Sequence, residues 1–222
     1  MDPCCPADLE TGFDERIAAR DLEAYRRDGL AADQRKLLAA LVAEGVEGRT
    51  ILDIGGGIGA IHHEILRAGA LSVTDVDGST AYLRAAQQEA RKHGDLDRIS
   101  YRHGDFVELA GGIEPADAVI LLRVLCCYPD MGALVRASTA KARTWYGLIY
   151  PRSTWWMRAA GTVYDVLRPL TGPASGPGHV HAEHDIDATV RSAGFTSVVT
   201  DATWFWRVAL YRRVAAPLAQ GR

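Results

Sequence analysis

Apolar residues along this chain follow two alternating rhythms. Short apolar runs are separated by longer stretches in which apolar positions return every three or four residues. The runs predict strands at Thr50 to Ile54, Ser72 to Asp77, about Ile99 to His103, within AVILLRV (118–124), and at Thr144 to Tyr150. Between them lie helical patterns: IGAIHHEILRAG, closed by Gly69; STAYLRAAQQEARKHG, closed near Gly94; and Met131 to Ala142. AVILLRV is almost wholly apolar, as expected of a strand covered on both faces. Strands that alternate with helices in this way build a parallel sheet. Beyond a helix in HAEHDIDATVRSAGF come two strands, near Thr196 to Asp201 and Trp204 to Tyr211, separated by a short turn. That spacing predicts an antiparallel hairpin.

Two helices precede the first strand. One carries Phe13, Ile17, Leu22 and Tyr25 and ends at Gly29; the other runs from about Ala31 to Glu44 on Leu37, Leu38, Leu41 and Val42. The pattern therefore divides the chain into an N-terminal arm with capping helices (1–46) and one α/β domain (47–222). Residues 151–180 are irregular, rich in Gly and Pro near their end, and carry Trp155, Trp156, Arg152, Arg158 and Arg168. They are expected to form an insertion that closes over a substrate.

Composition narrows the picture. In 222 residues, 48% hydrophobic content suffices for one core, and a net charge of −3 argues against nonspecific nucleic-acid binding. No apolar run approaches the roughly 20 residues of a membrane span. The first ten residues are acidic and lack a signal-peptide core, so a cytoplasmic location is expected. Four cysteines form two adjacent pairs, Cys4-Cys5 and Cys126-Cys127. Adjacent cysteines suit a closed metal site poorly, and no metal is expected.

The first candidate chemistry lies between the first strand and its helix. Asp53 precedes Gly55, Gly56, Gly57 and Gly59 in D-x-G-x-G-x-G spacing. Glycines there allow a sharp turn and bring a ligand close to the main chain, with helix-start amides facing it. The dinucleotide fingerprint G-x-G-x-x-G would place its third glycine where Ala60 stands, a tolerated variant. An acidic residue about 20 residues further on can accept from ribose hydroxyls. Asp77 ends the second strand and fills that position, with Asp75 as competitor and Ser79 as cap of the next helix.

The whole pattern resembles the class I S-adenosylmethionine-dependent methyltransferases more closely than the NAD-binding folds. The resemblance covers about Thr50 to Tyr211. It implies a Rossmann-like sandwich with a mostly parallel seven-stranded sheet and an antiparallel C-terminal strand. It also implies S-adenosylmethionine held by Asp53, the glycines, Asp77, Asp105 and Phe106 after the third strand, and Arg123 at the end of the fourth. Asp105 would accept from the adenine amine and Phe106 would stack on the ring. A narrower resemblance rests on TGF near Thr11, Tyr25, VLCCYPD and GHVHAEHD. These look like magnesium-protoporphyrin IX O-methyltransferases and their bacterial relatives. That group carries His-Tyr-Pro after the fourth strand; this chain has Cys127-Tyr128-Pro129, and a thiol is not a base of the imidazole kind.

The implied activity is transfer of a methyl group to a small molecule, at a carboxylate or hydroxyl oxygen and on a porphyrin-like acceptor among the candidates. A carboxylate needs no base, whereas a hydroxyl would use one. Tyr25 and His181 are the residues expected to assist, with His179 and His184 as further candidates; His62 and His63 are expected to pack or face solvent. A nucleic-acid or protein methyltransferase, and a non-enzymatic nucleotide-binding module, are the alternatives. Against the former stand the acidic balance and Leu-Arg-Val-Leu where an N-P-P-Y-type motif would follow the fourth strand.

Overall fold

The structure, a computed structural model, describes residues 10, 12–154 and 179–214. The insertion expected at 151–180 falls mostly outside the described residues, as do Cys4, Cys5 and Thr11. Helices α1 (Glu15–Asp28) and α2 (Ala32–Ala43) come first. Next are β1 (Thr50–Ile54), α3 (Ala60–Arg67), β2 (Ser72–Asp77), α4 (Thr80–His93) and β3 (Ile99–His103). Then follow the short α5 (Phe106–Leu109), β4 (Ala116–Leu122), a 3-10 turn at Leu125–Cys127, α6 (Met131–Thr139) and β5 (Ala142–Pro151). The described residues close with α7 (Glu183–Ser192), β6 (Phe195–Ala202) and β7 (Trp206–Arg213).

The sheet has seven strands in the order β3-β2-β1-β4-β5-β7-β6. The first five are parallel, and β7 runs antiparallel between β5 and β6. The expected hairpin is therefore present, and its later strand is the inner one. Alternation along each strand sends side chains to two buried layers. Ile51, Val73, Ala118 and Ile120 pack with α1, α2, α3 and α4; Leu52, Val76, Val119 and Leu121 pack with α5, α6 and α7. This is a Rossmann-like sandwich. The switch in strand order between β1 and β4 opens a crevice at their carboxyl ends, where ligands of such sheets bind.

Local signals set the ends of these elements. Asp14 caps α1 by accepting from Ile17 N at 2.9 Å, and Gly29, at φ 71°, stops it. Ser79 caps α4 by accepting from Tyr82 N at 3.2 Å, as expected. The helix after β4 stops at Thr139, three residues earlier than its apolar pattern predicts. Ser138 and Thr139 turn their hydroxyls back on the carbonyls of Leu134 and Val135 (2.7 and 2.6 Å), and β5 takes over at Ala142.

Candidate active site

Between β1 and α3 the chain turns through Gly55–Gly59, with φ of 68°, 59° and 77° at Gly55, Gly57 and Gly59. Space reinforces the requirement. A Cβ on Gly55 would overlap Val124 Cγ2, one on Gly56 would strike the Asp75 carboxylate, and one on Gly59 would strike the His62 ring. At Gly57 the space is open. The loop is thus packed from behind and open at one point.

Asp77 lies at the end of β2, 7% exposed, and holds this loop. Its Oδ2 accepts from Gly57 N at 2.9 Å and its Oδ1 from Ser79 N at 2.8 Å. Burial pushes its pKa up to about 6, while the two backbone amides oppose the rise. Each carboxylate oxygen can accept more than one hydrogen bond, so both retain capacity for a ligand.

Beneath the loop is a fully buried polar cluster. Asp53 and Asp75 are register partners across β1 and β2. Burial first, then the charges of Asp53 and Asp77, raise the Asp75 pKa well above the usual carboxylate range. His62 Nδ1 lies 3.3 Å from Asp53 Oδ2. His63 is equally buried; desolvation, then the neighbouring His62 and His93, lower its pKa to about 3. Asp53 therefore supports the loop from below, with its carboxylate turned into the core. His62 and His63 pack and do not face solvent.

Across the carboxyl ends of β2, β1 and β4 runs a cavity of about 700 Å³. Asp77 and Phe106 border it on the β2 side, Cys127 and Tyr128 on the β4 side, and Tyr25 of α1 and Leu30 of the link to α2 close the N-terminal side. Phe106 is itself 1% exposed, a core residue that also borders the cavity.

Four expected contacts take other partners. Asp105 caps α5, its Oδ1 accepting from Val107 N at 2.6 Å, and it is not among the residues bordering the cavity. A carboxylate one residue before a helix is captured by the orphan amides of the first turn. Arg123 borders the cavity, but its guanidinium is clamped by Asp33 of α2 at 2.8–3.1 Å and lies 4.7 Å over the Trp206 ring. The Tyr25 hydroxyl donates to Glu64 Oε1 at 2.8 Å, tying α1 to α3. Burial and this bond move its pKa further above neutrality. His181 lies away from the cavity; its Nε2 donates to Tyr128 O at 2.9 Å and is 3.1 Å from Leu125 O, bracing the turn after β4. Neither Tyr25 nor His181 is placed as a base for a ligand in the cavity. Asp33 and Glu64, the partners that decide these outcomes, carry no local sequence signal. His62 and His63 could have been read as buried, since they fall among Ile61, Ile65 and Leu66 on one short helix.

Residues 51–142 match the methyltransferase domain family model. A ubiquinone biosynthesis O-methyltransferase of Alkalilimnicola ehrlichii is 41% identical over 96 residues, which cover 42% of this chain and 37% of that protein. The same-named protein of Psychrobacter cryohalolentis is 31% identical over 116 residues, covering 52% and 43%. The chain thus aligns with less than half of the length of these curated relatives. Magnesium protoporphyrin IX methyltransferase (ChlM) from Synechocystis PCC 6803, solved with bound SAH, superposes with a TM-score of 0.69. That match is at 22% identity and covers 90% of this chain and 97% of the other. Residues 51–142 thus match a methyltransferase domain, and the fold is that of the class I methyltransferases.

Proposed function

We propose that this chain transfers the methyl group of S-adenosylmethionine to a carboxylate oxygen of a small molecule. The observation that carries the reading is the cavity that joins the Asp77-anchored glycine loop to the end of β4. The residues present fit the cofactor. Gly57 leaves open space where a ligand meets the main chain, and Asp77 keeps acceptor capacity at the strand end. Gly55, Gly57 and Gly59 would hold the methionine end, Asp77 the ribose, and Phe106 the base. Asp53 and Gly56 act by shaping the loop. Arg123 acts by fixing α2 against the end of β4. Asp105 acts through the cap that positions Phe106.

When bound, the cofactor supplies an already activated methyl group. The chain's task is to bind, align an acceptor in line with that methyl, and exclude water. Among the described residues no histidine borders the cavity, and the Tyr25 hydroxyl is committed to Glu64. An acceptor that arrives ionised suits such a site better than a hydroxyl needing a base. Residues 1–46 serve as a cap within this reading, 47–222 as the catalytic domain, and 151–180 as the substrate lid. A cytoplasmic location belongs to the same proposal and is tested by fractionation.

The test is calorimetry with S-adenosylmethionine and with NAD, followed by a turnover screen that detects the demethylated cofactor against porphyrin carboxylates, simple carboxylic acids and phenols. Binding of S-adenosylmethionine alone with turnover on carboxylates is expected. NAD binding without a response to S-adenosylmethionine would overturn the cofactor assignment. Turnover confined to phenols would overturn the carboxylate.

A further inference from the structure

We propose that Cys126 and Cys127 form a dithiol site for a soft trivalent thiophile of the arsenical class, reaching the β4 side of the cavity through Cys127. Both residues lie in the 3-10 turn Leu125–Cys127, half-buried and outside any disulfide. Their sulfurs gather on one oxygen: Cys126 Sγ is 3.1 Å and Cys127 Sγ 3.9 Å from Arg123 O. Cys127 borders the cavity, and Cys126 faces a small pocket beside it with His179 and His181. The turn that presents them is braced from three sides. Cys127 N donates to Val124 O at 2.8 Å, His179 N donates to Cys126 O at 2.7 Å, and His181 Nε2 donates to Tyr128 O at 2.9 Å. The two thiols are therefore brought together before any ligand arrives, which lowers the ordering cost of holding one atom between them.

The donor set selects the ligand. A structural zinc ion takes four protein ligands, and among the described residues no group of three His, Cys, Asp or Glu side chains could hold a metal. A direct disulfide is also disfavoured. Cα atoms of neighbouring residues are about 3.8 Å apart, below the roughly 4.4–6.8 Å usual across a disulfide. A bridging atom lengthens the ring and relieves that constraint. Soft thiolates prefer soft centres, and a monosubstituted arsenic(III) brings its third substituent with it, so two thiols complete it. Hydrogen bonding from Cys127, against the cost of burial and with smaller help from a backbone amide and the Arg123 charge, favours the Cys126 thiolate over the thiol.

The step balances without an oxidant. An organoarsenic(III) oxide gains two As–S bonds, and its oxygen leaves as water with the two thiol protons. Arsenic remains trivalent. The bridged pair would stand on the acceptor side of the cavity, while Asp77 and the glycine loop are untouched; this consequence alone rests on the function proposed above.

Phenylarsine oxide is the probe, applied to the full chain in a Cys4→Ser/Cys5→Ser background that removes the other adjacent pair. Intact mass should rise by one phenylarsine oxide less one water. The adduct should survive excess 2-mercaptoethanol and be removed by 2,3-dimercaptopropanol. Adding Cys126→Ser or Cys127→Ser should each abolish the monothiol-resistant adduct, with thermal unfolding used to confirm that each variant is folded. Calorimetry on the adduct should give S-adenosylmethionine affinity within about threefold of the free protein. An adduct that 2-mercaptoethanol displaces, an adduct retained in either single-serine variant, or a mass loss of two hydrogens would overturn the site. Failure of S-adenosylmethionine to bind even the unmodified protein would overturn the functional proposal and leave the mass result standing.

Discussion

Replacing Asp77 with alanine separates what this carboxylate does for the fold from what it does for a ligand. In the fold, two contributions oppose one another. The side chain accepts from the buried Gly57 and Ser79 amides, and hydrogen bonds to charged groups contribute about 1.5–3 kcal/mol each. Against this, its pKa stands at about 6 instead of 3.8, so keeping it ionised in the fold costs about 3 kcal/mol at neutral pH after those bonds are counted. Alanine removes the cost and leaves two amides, one of them at the open edge of the loop beside the cavity. Net stability at pH 7.5 should therefore change by less than about 1.5 kcal/mol. Cofactor affinity has no such compensation. Losing a charge-assisted acceptor for a ribose should weaken it about tenfold to about 150-fold, at about 1.4 kcal/mol per decade. Denaturant unfolding and calorimetry with S-adenosylmethionine read the two quantities separately. Affinity within threefold of the parent would refute the ribose role. Destabilisation beyond about 3 kcal/mol would refute the opposing contributions and make Asp77 a structural residue.

Three further outcomes follow from the same geometry. Because the Asp77 pKa is raised on folding, its contribution to stability is present below about pH 4 and is lost as pH rises through about 6; cofactor affinity should run the other way, falling about tenfold from pH 7 to pH 5, and pH-resolved calorimetry showing a flat profile would contradict it. Gly55→Ala meets both a φ of 68° and the Val124 side chain, whereas Gly57→Ala meets only a φ of 59°; the first should lose more stability than the second, which should lose about 1–2 kcal/mol, and equal losses in thermal unfolding would refute the packing argument. Arg123→Ala strands the 2% exposed Asp33 and should destabilise by about 1–3 kcal/mol, with less than additive loss when combined with Asp33→Asn; a fall in cofactor affinity larger than threefold, with the fold intact, would show that the guanidinium reaches the ligand after all.

Some of this site was legible in the sequence. The glycine spacing, the acidic end of β2 and the late hairpin depend on backbone conformation and strand period, which neighbouring residues set locally. The place of Asp77 against the loop is legible because it closes a strand at a fixed distance from the glycines. The choice between partners for a long or titratable side chain is made by elements far apart in sequence. Arg123 meets Asp33 from 90 residues away, Tyr25 meets Glu64 from 39, and His181 meets Tyr128 O from 53. No periodicity encodes those distances. For Asp105 the position before a helix is visible in the sequence, but the engagement of its carboxylate by the Val107 amide depends on where that helix begins.

The placement of β7 bears on how the chain comes off the ribosome. β6 pairs only with β7, and β5 waits for β7 along Trp145 to Pro151. A nascent chain that has emerged only through β6 therefore leaves bare the β5 edge, which is interior in the finished sheet, and holds β6 with nothing to join. Strand edges of that kind template association between chains. The interval between translation of Ala202 and emergence of Arg213 is the one in which the half-made protein most needs a chaperone, and slowing synthesis there should lower soluble yield more than slowing it in the first half of the sheet.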